Sequence, residues 1–192
     1  RRNFLATVAL AAPATLIAAD WPQWRGPQED GISRERLPAK PTFSQTVWRR
    51  NVGVGFSSVA VAQGRLFTMG HDGSKNGGEE TVWCLEAASG KEVWRHRYPA
   101  PLLDRFYEGG PGATPTVYQG RVFTYSKHGR LHCYDAAAGK LIWQRDMLAE
   151  AGLAQPPEWG FACSPDLLDE RTLLIEAGAT FALDAATGNV RW

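Results

Sequence analysis

Short apolar runs rich in Val, Leu, Ile and aromatic residues recur along the chain, as TVWCLE (81–86), RLHCYD (130–135) and ATFALD (179–184). Each ends at an acidic residue, turns through a small residue and Gly, and resumes as a second apolar run that closes on Trp. That is the pattern of a β-hairpin. The strands read almost continuously apolar, as they do when neighbouring sheets cover both faces. The pattern predicts strands near 58–62, 66–69, 81–86 and 92–96, then 116–118, 122–125, 131–134 and 141–144. A third set follows near 162–168, 172–175, 180–183 and up to Trp192.

The hairpins are copies of one eleven-residue phrase: CLEAASGKEVW (84–94), CYDAAAGKLIW (133–143) and ALDAATGNVRW (182–192). Trp94, Trp143 and Trp192 are spaced 49 residues apart, and Trp48 stands 46 before the first. A period of this size with four short strands per unit marks the blades of a β-propeller. Glu86, Asp135 and Asp184 sit where a carboxylate can accept backbone N–H bonds across the turn, with Glu86 the poorest fit because of its longer side chain. Gly90, Gly139 and Gly188 supply the positive φ that other residues resist. The closing tryptophans offer a flat apolar ring with one N–H donor, suited to lying between stacked sheets while the N–H meets a carbonyl.

These phrases resemble the tryptophan-docking motif of the pyrroloquinoline-quinone-like (PQQ-binding-like) β-propeller repeat family, Ala-x-Asp-x-x-Thr-Gly-Lys-x-x-Trp. The third copy departs only at Asn189. The second has Cys133 and Ala138, and the first Cys84, Glu86 and Ser89, at motif positions. The resemblance covers residues 46–192, and DWPQWRGP, GGPGATPTV and EWGFACSP resemble secreted bacterial members. It implies an all-β propeller of four-stranded antiparallel blades, near 53–98, 111–147 and 159–192, preceded by an extended segment over 20–45. Three blades make a partial, open ring, since such rings close with about four to eight. The stretch is therefore expected to be the N-terminal part of a larger protein, with the strand around 46–52 completing a last blade.

Residues 1–19, RRNFLATVALAAPATLIAA, have a charged tip, an apolar stretch and a small-residue end, the layout of a secretory signal. Arg1-Arg2-Asn3-Phe4-Leu5 resembles the twin-arginine export consensus, with a Sec signal as the alternative. Periplasmic or extracellular localisation follows, with membrane contact only through this segment. Elsewhere no apolar run approaches the roughly 18–20 residues of a membrane-spanning helix. The formal charge of +1 on 192 residues gives no electrostatic footprint for nucleic acid.

Measured against the repeat, the first blade carries seven extra residues between its second and third strands, and the connection into the second blade is ten residues longer than the one into the first. Because strands alternate in direction, this length variation falls on one rim. Insertions confined to one face of a repeat protein often mark its binding surface. Candidate ligand contacts there are His71, Asp72, Arg105, Tyr107, Glu108, His128 and Trp159, for a protein, small-molecule or carbohydrate partner. Solvated loops, with Tyr107 and Trp159 as packing anchors, are the plainer alternative. Glu79-Glu80 reads as a charged hairpin tip, and Gly109–Gly112 as a turn.

Quinone-dependent dehydrogenases of similar propeller type imply a pyrroloquinoline quinone over the central channel, a calcium ion, an acidic base and often a disulfide between adjacent cysteines. Here Cys84 and Cys133 occupy the same position in successive blades, where a small buried residue suffices, and no CxxC, CxxCH or metal-spaced His cluster occurs. The residues thus show no catalytic or metal constellation and no evident cofactor. The leading expectation is a non-catalytic binding or assembly scaffold of the cell envelope, analogous to the propeller lipoprotein of the outer-membrane assembly machinery. The alternative is the N-terminal part of a quinone-dependent alcohol or sugar dehydrogenase.

Overall fold

A computed structural model describes residues 19–36, 39–40 and 45–192. The proposed export signal lies outside the described residues apart from Ala19. Two antiparallel sheets have four strands each: β1 (Ala60–Ala62), β2 (Arg65–His71), β3 (Glu79–Glu86) and β4 (Glu92–Pro99), then β5 (Thr116–Tyr118), β6 (Arg121–Tyr125), β7 (Arg130–Asp135) and β8 (Leu141–Asp146). A single-turn helix, α1 (Met147–Glu150), is capped by Asp146. The third sheet holds β9 (Asp166–Asp169), β10 (Thr172–Glu176) and β11 (Thr180–Asp184). Each sheet is a meander whose spatial order follows the chain, which is the blade of a β-propeller.

The third blade departs from the expected four strands. Its outer strand is only a bridge between Leu183 and Val190, continued by the bonds from Arg191 N to Ala182 O (2.7 Å) and from Ala182 N to Trp192 O (2.9 Å). This ladder is too short to make a strand. Its first strand also begins at Asp166 rather than near 162, because Ser164 and Pro165 serve the neighbouring blade: Thr114 N donates to Ser164 Oγ at 2.9 Å and Thr116 Oγ1 to Pro165 O at 2.5 Å.

Successive blades share their cores. Along β6 and β7 the side chains alternate in the period-two manner of strands. Val122 and Tyr134 join Phe67, Met69, Val82 and Trp94 of the first blade. Phe123, Tyr125, Leu131 and Cys133 join Leu173, Ile175 and Leu183 of the third. This two-sided burial explains why alternation was weak in the sequence. The tight turns Gln63-Gly64 and Gln119-Gly120 have positive φ at both residues, matching the right-handed twist of a two-residue hairpin.

The repeated phrase joins each blade to the next. Trp94 Nε1 donates to Ala136 O at 3.0 Å, and Trp143 Nε1 to Ala185 O at 3.2 Å. Trp48 donates likewise to Ala87 O at 3.0 Å, so it docks on the first blade although residues 45–50 form no strand. Trp94 lies between Phe67 of its own blade and Tyr134 of the next, with centroids 5.9 and 6.0 Å away. Trp192 is 65% exposed and has no docking turn among the described residues.

Residues 20–22 act as a strap over the first strands. Trp21 exchanges two 2.8 Å backbone bonds with Val61, and Pro22 O accepts from Val117 N at 2.8 Å, tying β1 to β5. Beyond it, residues 23–30 run through turns rather than in extended form. No described helix is long and apolar enough to cross a membrane.

Candidate binding rim

The long loops meet on one face. Lys75 of the β2–β3 loop pairs with Asp104 of the β4–β5 connection at 2.9 Å, and Ala100 N donates to Gly78 O at 3.0 Å. The β4–β5 connection in turn meets the approach to β9. Arg105 pairs with Glu158 at 2.9 Å, and Tyr107 OH donates to Trp159 O at 3.3 Å. Phe106 stacks on Trp159 at 4.4 Å and 24°, and Tyr107 on Trp159 at 5.7 Å and 15°. Phe56 closes edge-on against Tyr107 at 5.2 Å. Asp104, Arg105, Phe106, Tyr107, Glu158 and Trp159 wall a groove of about 440 Å³ that also takes in Leu103, Gln155 and Pro157. Trp159 is 57% and Phe106 46% exposed, far more than rings that serve only as packing anchors.

The candidate contacts fall in four settings. Arg105, Tyr107 and Trp159 come together in the groove, and Phe106 belongs with them. His128 is half-buried nearby, its Nε2 donating to Pro101 O at 2.8 Å. Asp72 and Glu108 are exposed, and Asp72 is occupied in capping its own loop by accepting Ser74 N at 2.8 Å. That backbone bond holds the Asp72 carboxyl below the usual range. His71 is only 1% exposed: Nε2 donates to Ala100 O at 2.8 Å, and Nδ1 accepts from Gly73 N at 2.9 Å. It braces the two loops from beneath. Gly109 and Gly110 have φ of 82° and 78°, as a turn requires.

Glu80 is not part of a charged tip. It is the second residue of β3 and is 1% exposed, accepting the Tyr98 hydroxyl at 2.6 Å. Burial raises its pKa. Beside it, between the first two blades, Tyr98 packs on His132 at 4.6 Å, and His96 on Tyr134 at 4.9 Å. Burial, with smaller effects from His96 and Arg130, pushes His132 down to about 3. Lys127 stands two residues past β6, 2% exposed, with Nζ 3.9 Å from the Tyr107 ring centroid and no hydrogen-bond partner among the described residues. From sequence, Lys127 reads as part of a solvated loop and Glu80 as part of a charged tip, because Ser126-Lys127-His128-Gly129 and Gly78-Glu79-Glu80 look like polar loop. The available signal was their adjacency to buried strands, with Lys127 two residues past Tyr125 and Glu80 immediately before Thr81.

Cys84 and Cys133 are fully buried at the same position of β3 and β7, where Ala182 stands in β11. Burial pushes their thiols up to about 11 and about 12, so they are inert core residues. Among the described residues no three His, Cys, Asp or Glu side chains gather closely enough to hold a metal ion.

The fold and its rim define a β-propeller whose blades are joined by tryptophan docking. Residues 78–192 match the PQQ_2 family, described as outer membrane protein assembly factor BamB, and the chain belongs to that family. It is 28% identical over 119 residues to the dehydrogenase subunit of a quinone alcohol dehydrogenase from Gluconacetobacter polyoxogenes, across 57% of this chain and 16% of that protein. Identity to the quinoprotein alcohol dehydrogenase PedH of Pseudomonas putida is 29% over 136 residues, across 69% of this chain and 20% of that protein. The chain thus spans a fifth or less of these relatives. The quinohemoprotein alcohol dehydrogenase of Comamonas testosteroni superposes with a TM-score of 0.61 at 19% identity, over 91% of this chain and 27% of that one. A europium-containing methanol dehydrogenase does so at 0.57 and 15%, over 77% of this chain and 26% of that one. At these identities the likeness to solved structures is one of fold.

Proposed function

We propose that this chain is a stretch of an exported, non-catalytic propeller that holds a ligand on its loop rim, as a binding or assembly scaffold of the cell envelope. The observation that carries this reading is the exposed Trp159–Phe106 platform over a groove, on the face that collects the length variation. A flat aromatic pair flanked by an Arg105–Glu158 ion pair offers apolar contact and polar anchoring together. Family membership agrees with a scaffold role. The two carboxylates that line the groove are engaged in ion pairs, Asp104 with Lys75 and Glu158 with Arg105.

A second reading, part of a quinoprotein alcohol dehydrogenase, is favoured by the curated relatives. It places the quinone and calcium ligands outside the described residues. The scaffold reading is tested with the full-length protein and the double variant F106A/W159A. Both are passed over immobilised envelope polysaccharides and over outer-membrane protein fractions. The variant should keep its β circular dichroism and lose retention by at least about tenfold, the effect of removing about 1.4 kcal/mol of contact. Equal retention of variant and wild type would remove the rim from the binding surface.

A further inference from the structure

The rim covers a charge that it does not satisfy. Lys127 is 2% exposed, and its Nζ meets the face of Tyr107 but, among the described residues, no hydrogen-bond acceptor. A cation–π contact is attractive, yet it leaves three N–H donors unused in a place shielded from water. Buried ammonium groups are ordinarily paired, because desolvation disfavours the charge. Burial accordingly lowers the Lys127 pKa, with Glu80 acting the other way.

The other ionisable groups facing the gap are engaged elsewhere. Glu80 accepts from Tyr98, His71 is held by Ala100 and Gly73, and His128 donates to Pro101. Among the described residues none forms an ion pair with Lys127. A methionine of similar length would fill the same space without the electrostatic cost, so packing alone does not account for an amine here.

What covers Lys127 is thin. Tyr107 is held by its stack on exposed Trp159, by the edge of exposed Phe56 at 5.2 Å and by one long hydrogen bond of 3.3 Å. Gly109 and Gly110 follow Tyr107 closely, and Gly160 follows Trp159, all with positive φ between 71° and 82°. Tyr107 thus divides the Lys127 ammonium from the groove that Tyr107 and Trp159 both line.

Building on the rim-binding reading, we infer that Lys127 is the anion-binding element of the groove. Tyr107 swings aside for a ligand that carries a carboxylate on a ring with one apolar face, the chemistry of an acidic sugar. The ring stacks on Trp159, and the carboxylate accepts the donors of Lys127. Arg105, already paired with Glu158 at the rim, stays with its partner. No bond is made or broken, and Tyr107 serves as a cover.

The test uses the full-length protein and calorimetric titration with two probes of equal length and linkage, a hexuronate oligosaccharide and its neutral hexose counterpart. Wild type should bind the acidic probe at least about tenfold more tightly, with the difference shrinking at high salt. In K127M the preference should vanish while neutral binding persists, and in W159A binding of both probes should fall. An unfolding midpoint for K127M at or above that of wild type shows that it is folded. Equal binding of the two probes by wild type overturns the role of Lys127 and leaves the rim reading standing. A wild type that binds neither probe overturns the acidic-sugar assignment, while the rim reading is decided separately by F106A/W159A retention on envelope material.

Discussion

Gly139 lies flat beneath the indole of Trp94: a Cβ on Gly139 would fall 2.5 Å from Cδ2 of that ring. Gly90 stands in the same relation to Trp48, and Gly188 to Trp143, at 2.4 and 2.6 Å. The glycine of the repeated phrase is therefore required twice, for its positive φ of 69° at Gly139 and for the close approach of a ring from the preceding blade. Gly139→Ala should destabilise the protein by about 2–4 kcal/mol, adding overpacking to left-handed strain. Gly120→Ala, at φ 73° with open space around it, should cost only about 1 kcal/mol. Denaturant midpoints of the two variants read the difference, and equal losses would mean that docking contributes nothing beyond the turn.

Trp143 makes the same contact one blade further on, packed near Phe123 at 5.9 Å. Trp143→Ala should cost about 3–5 kcal/mol, the range for removing a large ring from a core, together with the donor to Ala185. Calorimetric unfolding would show it as a lower midpoint. A loss below about 1 kcal/mol would show that the second and third blades associate without the ring.

The first copy of the phrase is the one whose turn is incompletely capped. Asp135 accepts from Ala137 N and Ala138 N at 2.9 and 2.7 Å, and Asp184 from Ala186 N and Thr187 N at 3.0 Å each. Glu86 instead accepts the Ser89 hydroxyl at 2.7 Å. Glu86→Asp should stabilise the first blade by about 0.5–1.5 kcal/mol through backbone bonds the longer chain does not make. A neutral or destabilising result in denaturant titration would show that the Ser89 contact is already equivalent.

Acid sensitivity should begin at a histidine. His132 titrates near 6.5 when unfolded and is pushed to about 3 when folded, mainly by burial. Between those values the unfolded chain binds the extra proton, so stability is full above about 6.5 and falls as pH drops toward 3, by up to about 1.4 kcal/mol per pH unit. His96 contributes in the same direction, also through burial. Glu80, raised by burial from 4.5, works the other way, losing stability as pH rises, and is unchanged between the proteins compared. His132→Phe keeps the stacking on Tyr98 and should flatten the decline between pH 7 and 5. The same slope in wild type and variant would contradict this origin.

The fold was legible because the phrase fixes both its turns and its register. The strands from Ala60 to Asp146 fall within a few residues of their expected places, since each is bounded by a turn with a mechanism, Gln-Gly on one side and the acid-to-Gly turn on the other. Trp48 was legible as a repeat position, but its docking without a strand was not, because a single ring contact and one N–H bond leave no periodic trace. The rim was legible as a face and not as a set of contacts. Which loop residues turn inward depends on bonds between distant loops, such as Lys75 to Asp104 and Arg105 to Glu158. His71 and Glu80, at the ends of paired strands, were drawn inside by those closures.

The proposed rim-binding scaffold and a quinone dehydrogenase differ in whether the protein turns over with the quinone. This difference is tested most directly by supplying the full-length protein with pyrroloquinoline quinone and calcium, then following dye reduction with alcohols and sugars as electron donors. The expected result is no substrate-dependent reduction above a quinone-and-calcium blank. Sustained turnover that requires both additions would contradict the scaffold reading and make the chain part of a dehydrogenase.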